Sequence, residues 1–574
     1  MSYYRVLMRT PTSDVAAFAA WRNCLGDDRV DAGPDAERRY GTCTTGTSRR
    51  ISGALRPRDV VAVADILAIA RQHLIPLYPI STGRNWGYGS GNPVVDGCVV
   101  VDLSEMNRIV EFDRQLALVT VEPGVTQGQL RTFLDLTAPE LMVPTTGAGP
   151  TCSLVGNALE RGYGITPYAD HFGAVMALEA VLPDGTLYRS PLTELGGDVV
   201  DRAFKWGIGP YLDGLFAQGN FGIVTRMTIA LATRPECVQG FFFGVPEEAG
   251  LETAVLTIQR ALRAAGGTLG SINLMNTRRV LAMTVSYPSE RTSPGGILAP
   301  EVIDELAHSH SVSPWTGIGA LYGSHDVVKG ARKVIRRLLG PIADRIRFIT
   351  PEGGARLNRF FSTVPVLRAT RMASRMQTLE KALRVMAGEP SEVALRAAYW
   401  RGGERPQGGH ADPARDGCGL IWYSPLVPMK SDAVRLYVDL VNETCMTHGI
   451  EPLITLTTLS DRCFDSSVPL LFDRRNLAET ERATTCYDAL FEAGRRQGFL
   501  PYRVGVSAMR RLTETPAPFW DLVRTIKAAV DPGDVVAPGR YAPTAVTGSA
   551  GIAGWSDDGV QASDVRSRAN RGAG

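Results

Sequence analysis

Long hydrophobic runs are missing from this sequence. No apolar stretch approaches the ~20 residues that a membrane-spanning helix needs, and the N-terminal MSYYRVLMRTPTSD has no apolar core of a secretory leader. Neither a membrane partner nor export is expected. An excess of one charge is missing too. Lys and Arg number 61 against 59 Asp and Glu, a formal net charge of +2, so nothing calls for a nucleic-acid partner. Nine cysteines are scattered and never form a CxxC pair, which leaves a zinc site without support. Such thiols in a leaderless chain read as reduced, cytoplasmic and mostly buried. His308 and His310, in HSH, have a spacing seen in metal sites, but no set of ligands in the sequence pattern supports one there.

What is present is length and glycine. The 574 residues suffice for two or three domains and a large core. Four glycines fall between Gly83 and Gly91 in IPLYPISTGRNWGYGSGNP, Ile75 to Pro93. This is not a Rossmann loop, because Pro93 and then strand follow where a helix should begin. It is not a Walker loop either, since GK[ST] is absent. What remains is a turn between strands whose backbone N–H groups point into one concavity, a nest that binds anions without a helix dipole. Taken alone, a glycine-rich surface turn with no ligand is an equal alternative. A second glycine-rich system, GAGPTCSLVGNALERGYGITPYADH (Gly147–His171), changes the balance, because two such loops can grip a dinucleotide from two sides.

The pattern along the chain is mixed. PRDVVAVADILAIARQH predicts a helix starting at Pro57 and Asp59, with Val60, Val63, Leu67, Ala70 and Leu74 on one face. GCVVVDLS, RIVEFD and LALVTVEPG predict three successive strands. GVTQGQLRTFLDL predicts a helix capped by Thr126, and AVMALEAVLPDGTLYRS predicts a hairpin. From about Arg234–Cys237 to Gly498, predicted strands (AMTVSY, GLIWYSP, PLITLTTL) alternate with long amphipathic helices. The Gly-, Ala-, Ser- and Arg-rich tail from Thr544 to Gly574 is expected to be disordered.

These segments together carry a resemblance. PISTGRNWGYGSGNP, VEPGVTQGQL, LVGNALERGYGITPYADHFGAVMALEAVLPDGTLYRS, FKWGIGPYLDGLFAQGNFGIVTRM and VDPGDVVAPGRY occur in the order seen in the vanillyl-alcohol oxidase / p-cresol methylhydroxylase flavoproteins, across roughly residues 50 to 541. The resemblance implies an α+β, two-domain flavoprotein. Its FAD-binding domain (1–238, core about 50–238) would be completed by the C-terminal part (498–543), with a cap domain (239–497) over the substrate. Ser81, Thr82, Gly83, Arg84 and Asn85 would wrap the FAD pyrophosphate. Gly156, Asn157, Asp170, Gly222 and Val224, with Gly219 and Asn220, would line the rest. Tyr88, Tyr502 and Arg503 would hold a phenolate oxygen, priming hydride transfer from the para carbon to flavin N5. A homodimer or higher homo-oligomer is implied as well.

Departures from the family pattern qualify that reading. The flavin-linking histidine or tyrosine has no counterpart in Gly419, Leu420, Ile421 and Trp422, and Asn85 stands where related bicovalent oxidases have a histidine. FAD is therefore expected to be held noncovalently, with Cys152 and His410 as weaker rivals for attachment. PTTGAGPTCSLVGN carries no carboxylate where the oxidases place an acid, which puts hydration or alcohol oxidation in doubt. Ile165 replaces a tyrosine, and Trp86 and Trp422 serve as stacking walls or as core. His171 is read as structural. The leading function is an FAD-dependent oxidoreductase of a para-substituted phenol. The alternatives are an FAD enzyme of a non-phenolic alcohol, amine or natural-product intermediate, and a non-enzymatic flavin carrier.

Overall fold

The structure, a computed structural model, describes residues 11–293, 295–363, 371–405 and 408–544. The tail expected to be disordered lies, from residue 545, outside them. The N-terminal region builds two sheets. The first joins β1 (Val30–Ala32), β2 (Ile51–Leu55), β3 (Leu77–Ile80) and β4 (Cys98–Asp102) in the order β1-β2-β4-β3. β4 is parallel to both β2 and β3 and fully buried, as its unbroken Cys-Val-Val-Val run demands. The helix Val60–His73 covers this sheet. Asp59 caps it by accepting the Ala62 N–H at 2.9 Å, and it buries Val63, Ile66, Leu67 and Ala70. Leu74, expected on that buried face, instead ends the helix in the left-handed region at φ 51° and is exposed. The helix runs one residue short of continuing the stripe.

The second sheet takes β5 (Ile109–Asp113), β6 (Leu118–Val121), β8 (Val175–Val181), β9 (Leu187–Arg189) and β10 (Ile223–Ala230) in the order β5-β6-β10-β8-β9. A short β7 (Leu141–Met142) pairs separately with β11 (Ala232–Thr233). The three strands expected from Cys98 to Val121 and the hairpin are all present. The helix Gln127–Thr137 begins with a reciprocal capping box between Thr126 and Gln129.

From Cys237 onward one antiparallel sheet of eight strands dominates. It comprises β12 (Cys237–Val245), β13 (Asn273–Asn276), β14 (Trp315–Gly323), β15 (Arg345–Ile349), β16 (Cys418–Pro428), β17 (Thr455–Thr458), β18 (Cys463–Asp473) and β19 (Pro501–Arg503). Their order is β15-β12-β14-β13-β17-β18-β16-β19. Helices Leu251–Ala264, His325–Leu339, Ser431–Thr447 and Leu477–Arg496 contribute Val255, Ile258, Ile335, Val438 and Leu490 to the main core, together with Leu274, Leu456 and Phe464 from the sheet. Alternation along the strands leaves the partners Asn273, Thr457 and Asp465, and likewise Met275, Thr455 and Ser467, to line a large internal cavity. AMTVSY, expected as a strand, is the end of the helix Thr277–Thr284 and the coil after it. Asn276 caps that helix on Arg279 N–H at 3.0 Å, and Leu281 and Ala282 are buried. A helix cap and a 3.6-residue burial pattern outweighed the β-branched residues there.

The C-terminal segment returns to the first sheet. Leu77 N–H donates to Val535 O at 2.7 Å, and Ala537 N–H donates to Leu77 O at 2.8 Å. Buried Lys527 donates to Asp531 Oδ2 at 2.6 Å and to Asn220 O at 2.8 Å, and Asn220 Nδ2 donates to Ala537 O at 3.1 Å. Asn220, expected to line the cofactor, takes part in this tether through its carbonyl and Nδ2, while its buried Oδ1 has no partner. β19 takes the C-terminal segment to the edge of the eight-stranded sheet, with Ser424 opposite Arg503.

Candidate active site

Between the N-terminal sheets and the inward face of the eight-stranded sheet lies a cavity of about 1830 Å³. That exceeds the roughly 300–1,000 Å³ of a single small-ligand pocket, so it has room for a dinucleotide and a substrate. The Ser81–Asn85 turn forms part of its wall. Gly83 has φ 68° and Gly87 φ 79°, values that side chains disfavour. A Cβ on Gly87 would lie 2.1 Å from Trp422 Cδ1, so the glycine lets the tryptophan close over the turn. Among the described residues, the backbone N–H groups of Thr82 to Asn85 have no acceptor within the protein. The Arg84 side chain is taken by Asp412, which also accepts from Trp86 Nε1 at 3.2 Å.

The second glycine system abuts the first along the cavity wall. Ser153 Oγ accepts the Gly156 N–H at 2.9 Å, and a Cβ on Gly156 would stand 3.1 Å from Ser81 Oγ. Gly156, Asn157, Gly219, Gly222 and Val224 line the cavity, as do Trp86, Trp422 and Ile165. Asp170 does not. Its carboxylate accepts the Gly173 N–H at 2.8 Å through Oδ1. His171 Nδ1 lies 2.5 Å from Asn157 Oδ1, and burial alone pulls its pKa down to about 4, so it is a neutral orienting group. His410 is exposed against Glu392, and no group of three metal-ligating side chains occurs among the described residues. Leu420 and Trp422 occupy the wall with no nucleophile, and Cys152 is a lining thiol whose pKa burial pushes up.

Tyr88, Tyr502 and Arg503 all line the cavity. The Arg503 guanidinium lies 4.2 Å above the Tyr88 ring, and Arg503 is adjacent to Tyr502 on β19. The Tyr88 hydroxyl is 2.7 Å from Ser424 Oγ, and burial pushes its pKa up to about 12; burial raises that of Tyr502 as well. Both stay protonated and able to donate. Arg503 donates to Asn85 Oδ1, and its Nε sits 3.2 Å from Glu160 Oε2 without hydrogen-bond alignment. Arg540 holds the other Glu160 oxygen. Burial alone would raise the Glu160 pKa, but Arg540 and Arg503 outweigh it, so Glu160 is a carboxylate.

Two cavity residues escaped the sequence reading. Asp465 on β18 is 7% exposed, and its Oδ1 has no partner. Burial pushes its pKa up to about 7, against smaller opposing effects of Ser467 and Arg503. Arg279, in the first turn of the helix Thr277–Thr284, donates through Nε to Thr455 Oγ1 at 3.1 Å, while its Nη1 has no partner. In CFDSSVPLLF, Asp465 is a carboxylate inside an otherwise uncharged strand-like run, a signal that could have singled it out. Which face met the cavity was not in the pattern.

A turn of unpaired N–H groups at one end, a second glycine wall and a titratable cluster at the other fit a flavin dinucleotide. The arrangement is that of a two-domain flavoenzyme whose FAD-binding domain uses both chain ends. Residues 51–190 match the family model described as an FAD binding domain. The chain is 37% identical over 528 residues to the 1'-carboxy-chondrochloren decarboxylase of Chondromyces crocatus, covering 92% of this chain and 96% of that one. It is 28% identical to the flavoprotein subunit of the hydroxylating 4-cresol dehydrogenase of Pseudomonas putida, covering 91% and 94%. A structure of p-cresol methylhydroxylase with substrate bound superposes with a TM-score of 0.83 at 26% identity, over 93% of this chain and 98% of that one. The chain belongs to the p-cresol methylhydroxylase / vanillyl-alcohol oxidase family of FAD-dependent oxidoreductases.

Proposed function

We propose that this enzyme oxidises a para-substituted phenol, deprotonating it and removing hydride from its para carbon. The observation that carries this reading is Arg503, a buried guanidinium oriented by Asn85 and Glu160, stacked on Tyr88 and beside Tyr502 at the cavity wall. Ser81 to Asn85 would hold the FAD pyrophosphate through backbone donors, with Gly156, Asn157, Gly222 and Val224 along the rest, bound without a covalent link. FAD, when bound, supplies the two-electron hydride acceptor.

The protein's own task is the charge. Once Asp465 is ionised, above about pH 7, Glu160 and Asp465 balance Arg503 and Arg540 before substrate enters. A phenolate added to this cluster would leave one negative charge in excess, at high cost in a dry site. Asp465 removes that excess by accepting the phenol's proton, which its pKa of about 7 permits. Arg503, Tyr502 and Tyr88 then face the phenolate as donors. Electron release through the ring favours hydride departure, and the substrate, one proton and one hydride poorer, is a neutral quinone methide.

A second reading continues from that species and is favoured by the 37% identical decarboxylase. A carboxylate on the carbon next to the benzylic one leaves as CO2. Its C–C bond pair becomes the new double bond, and the ring returns to phenolate. PTTGAGPTC carries no carboxylate to activate water for hydration, which fits loss of CO2 better. The assembly proposed is a cytoplasmic homodimer. Scattered cysteines with no CxxC pair and the exposed Val199, Phe204, Trp206 and Ile208 support it, and light scattering measures the mass. Anaerobic mixing with 4-alkylphenols, alcohols and phenolic acids tests the chemistry. Flavin bleaching by phenols is expected, with CO2 and a vinylphenol from acids of the right length. Bleaching by non-phenolic alcohols alone refutes the phenol reading.

A further inference from the structure

Arg279 has no place in the chemistry above. It is 9% exposed, lines the cavity and makes one side-chain hydrogen bond, from Nε to Thr455 Oγ1. Nη1 is buried without a partner. Burial alone brings its pKa down to about 10, and no acid offsets its charge among the described residues. By contrast, the buried cations Arg503 and Arg540 of the cavity wall share the carboxylate of Glu160. Uncompensated buried charge is strongly unfavourable and is retained where a ligand supplies the counter-charge. Thr316 Oγ1, another buried orphan on the same sheet face, stands across Met275 from Thr455.

We propose that Arg279 is a receptor for a carboxylate, or a like anionic group, on the substrate at the end remote from the phenol. The position sets the length. Thr455 pairs with Ser467 on β18; β16 comes next, where Ser424 stands opposite Arg503 on β19. Three strand steps put roughly 14 Å between the Thr455 and Arg503 backbones. A hydroxyphenyl ring with a chain of a few methylenes and a terminal acid spans that distance. A carboxylate clamped by a guanidinium is stabilised as an anion, so this acid is one that anchors and stays, not one that leaves as CO2. The inference rests on the phenol reading for the other end of the substrate.

The test uses FAD-loaded enzyme and three probes: 5-(4-hydroxyphenyl)pentanoate, 4-pentylphenol and 5-phenylpentanoate, with Kd read from flavin absorbance changes and calorimetry. Wild type should bind the hydroxyphenyl acid at least tenfold more tightly than 4-pentylphenol. Arg279→Met should collapse that ratio towards one, and Arg279→Lys should restore part of it. A merely structural arginine would change FAD content or melting temperature and leave the ratio alone. Should Arg279→Met fail to fold, Arg279→Lys and Arg279→Gln carry the comparison. No preference in wild type, or a preference that survives in Arg279→Met, overturns the proposal. If 5-phenylpentanoate binds in an Arg279-dependent way while 4-pentylphenol neither binds nor bleaches, the phenol reading fails and the anion site stands. If 4-pentylphenol bleaches the flavin and the acid adds nothing, the reverse holds. Binding of none of the three overturns both.

Discussion

Replacing Asp465 by Asn should make the protein more stable and the reaction slower, and both effects should depend on pH in a calculable way. The Asp465 carboxyl holds its proton to about pH 7 in the folded protein, against an ordinary 3.8. The folded state binds that proton more tightly than the unfolded chain, so stability from this group is full below about pH 4 and is lost as pH rises towards 7. Above pH 7 the buried carboxylate is charged, at a cost of about 4 kcal/mol at most. Its 7% exposure leaves little solvent to screen that cost. The amide of the Asp465→Asn variant carries no such charge at any pH. The difference in thermal midpoint, variant minus parent, should therefore be near zero around pH 4 and grow by several degrees up to pH 8 in enzyme free of phenol. The rate of flavin reduction by a phenol should rise with pH through an inflection near 7 in the parent, where the carboxylate becomes able to accept the proton. In Asp465→Asn that inflection should vanish and the rate fall by roughly 10²-fold or more. A stability difference that does not change with pH, or a variant less stable than the parent at pH 8, would refute the assignment of a raised pKa. An intact inflection would refute the role as base.

Arg503→Ala removes a charged hydrogen bond to the phenolate, worth roughly 1.5–3 kcal/mol, and should slow flavin reduction about ten- to a hundredfold at unchanged FAD content; an unaltered stopped-flow rate would end the phenolate hypothesis. Gly83→Val should abolish FAD uptake, because φ 68° excludes a β-branched residue, whereas Arg84→Ala should retain FAD, its side chain being spent on Asp412; flavin absorbance per protein decides, and the opposite ranking would contradict binding by backbone donors. Acid precipitation should release FAD to the supernatant, since the wall at Leu420 and Trp422 offers no nucleophile; fluorescence that stays with the protein on a denaturing gel would show a covalent link, with Cys152→Ser the next variant to make.

What the sequence determined by itself is local or nearly so. Turn residues and caps act within a few positions, so the glycine turn at Gly83–Gly91, the Asp59 and Thr126 helix starts and the Cys98–Val121 strands were legible without coordinates. The ordered series of segments also carried the family, and with it the presence of Tyr88, Tyr502 and Arg503 on one cavity wall, more than 400 residues apart in the chain. Tertiary structure decided the rest. Asp170, expected along the cofactor, has its carboxylate on the Gly173 turn, a placement set by the local loop. AMTVSY had the composition of a strand, yet Asn276 and the burial of Leu281 and Ala282 made most of its neighbourhood helix. Asp465 and Arg279 drew no notice as isolated letters, since charged residues are ordinarily solvated. Their chemistry comes from burial on one face of an eight-stranded sheet and from the presence or absence of an opposite charge within reach, quantities that depend on strand order rather than on neighbours in the chain.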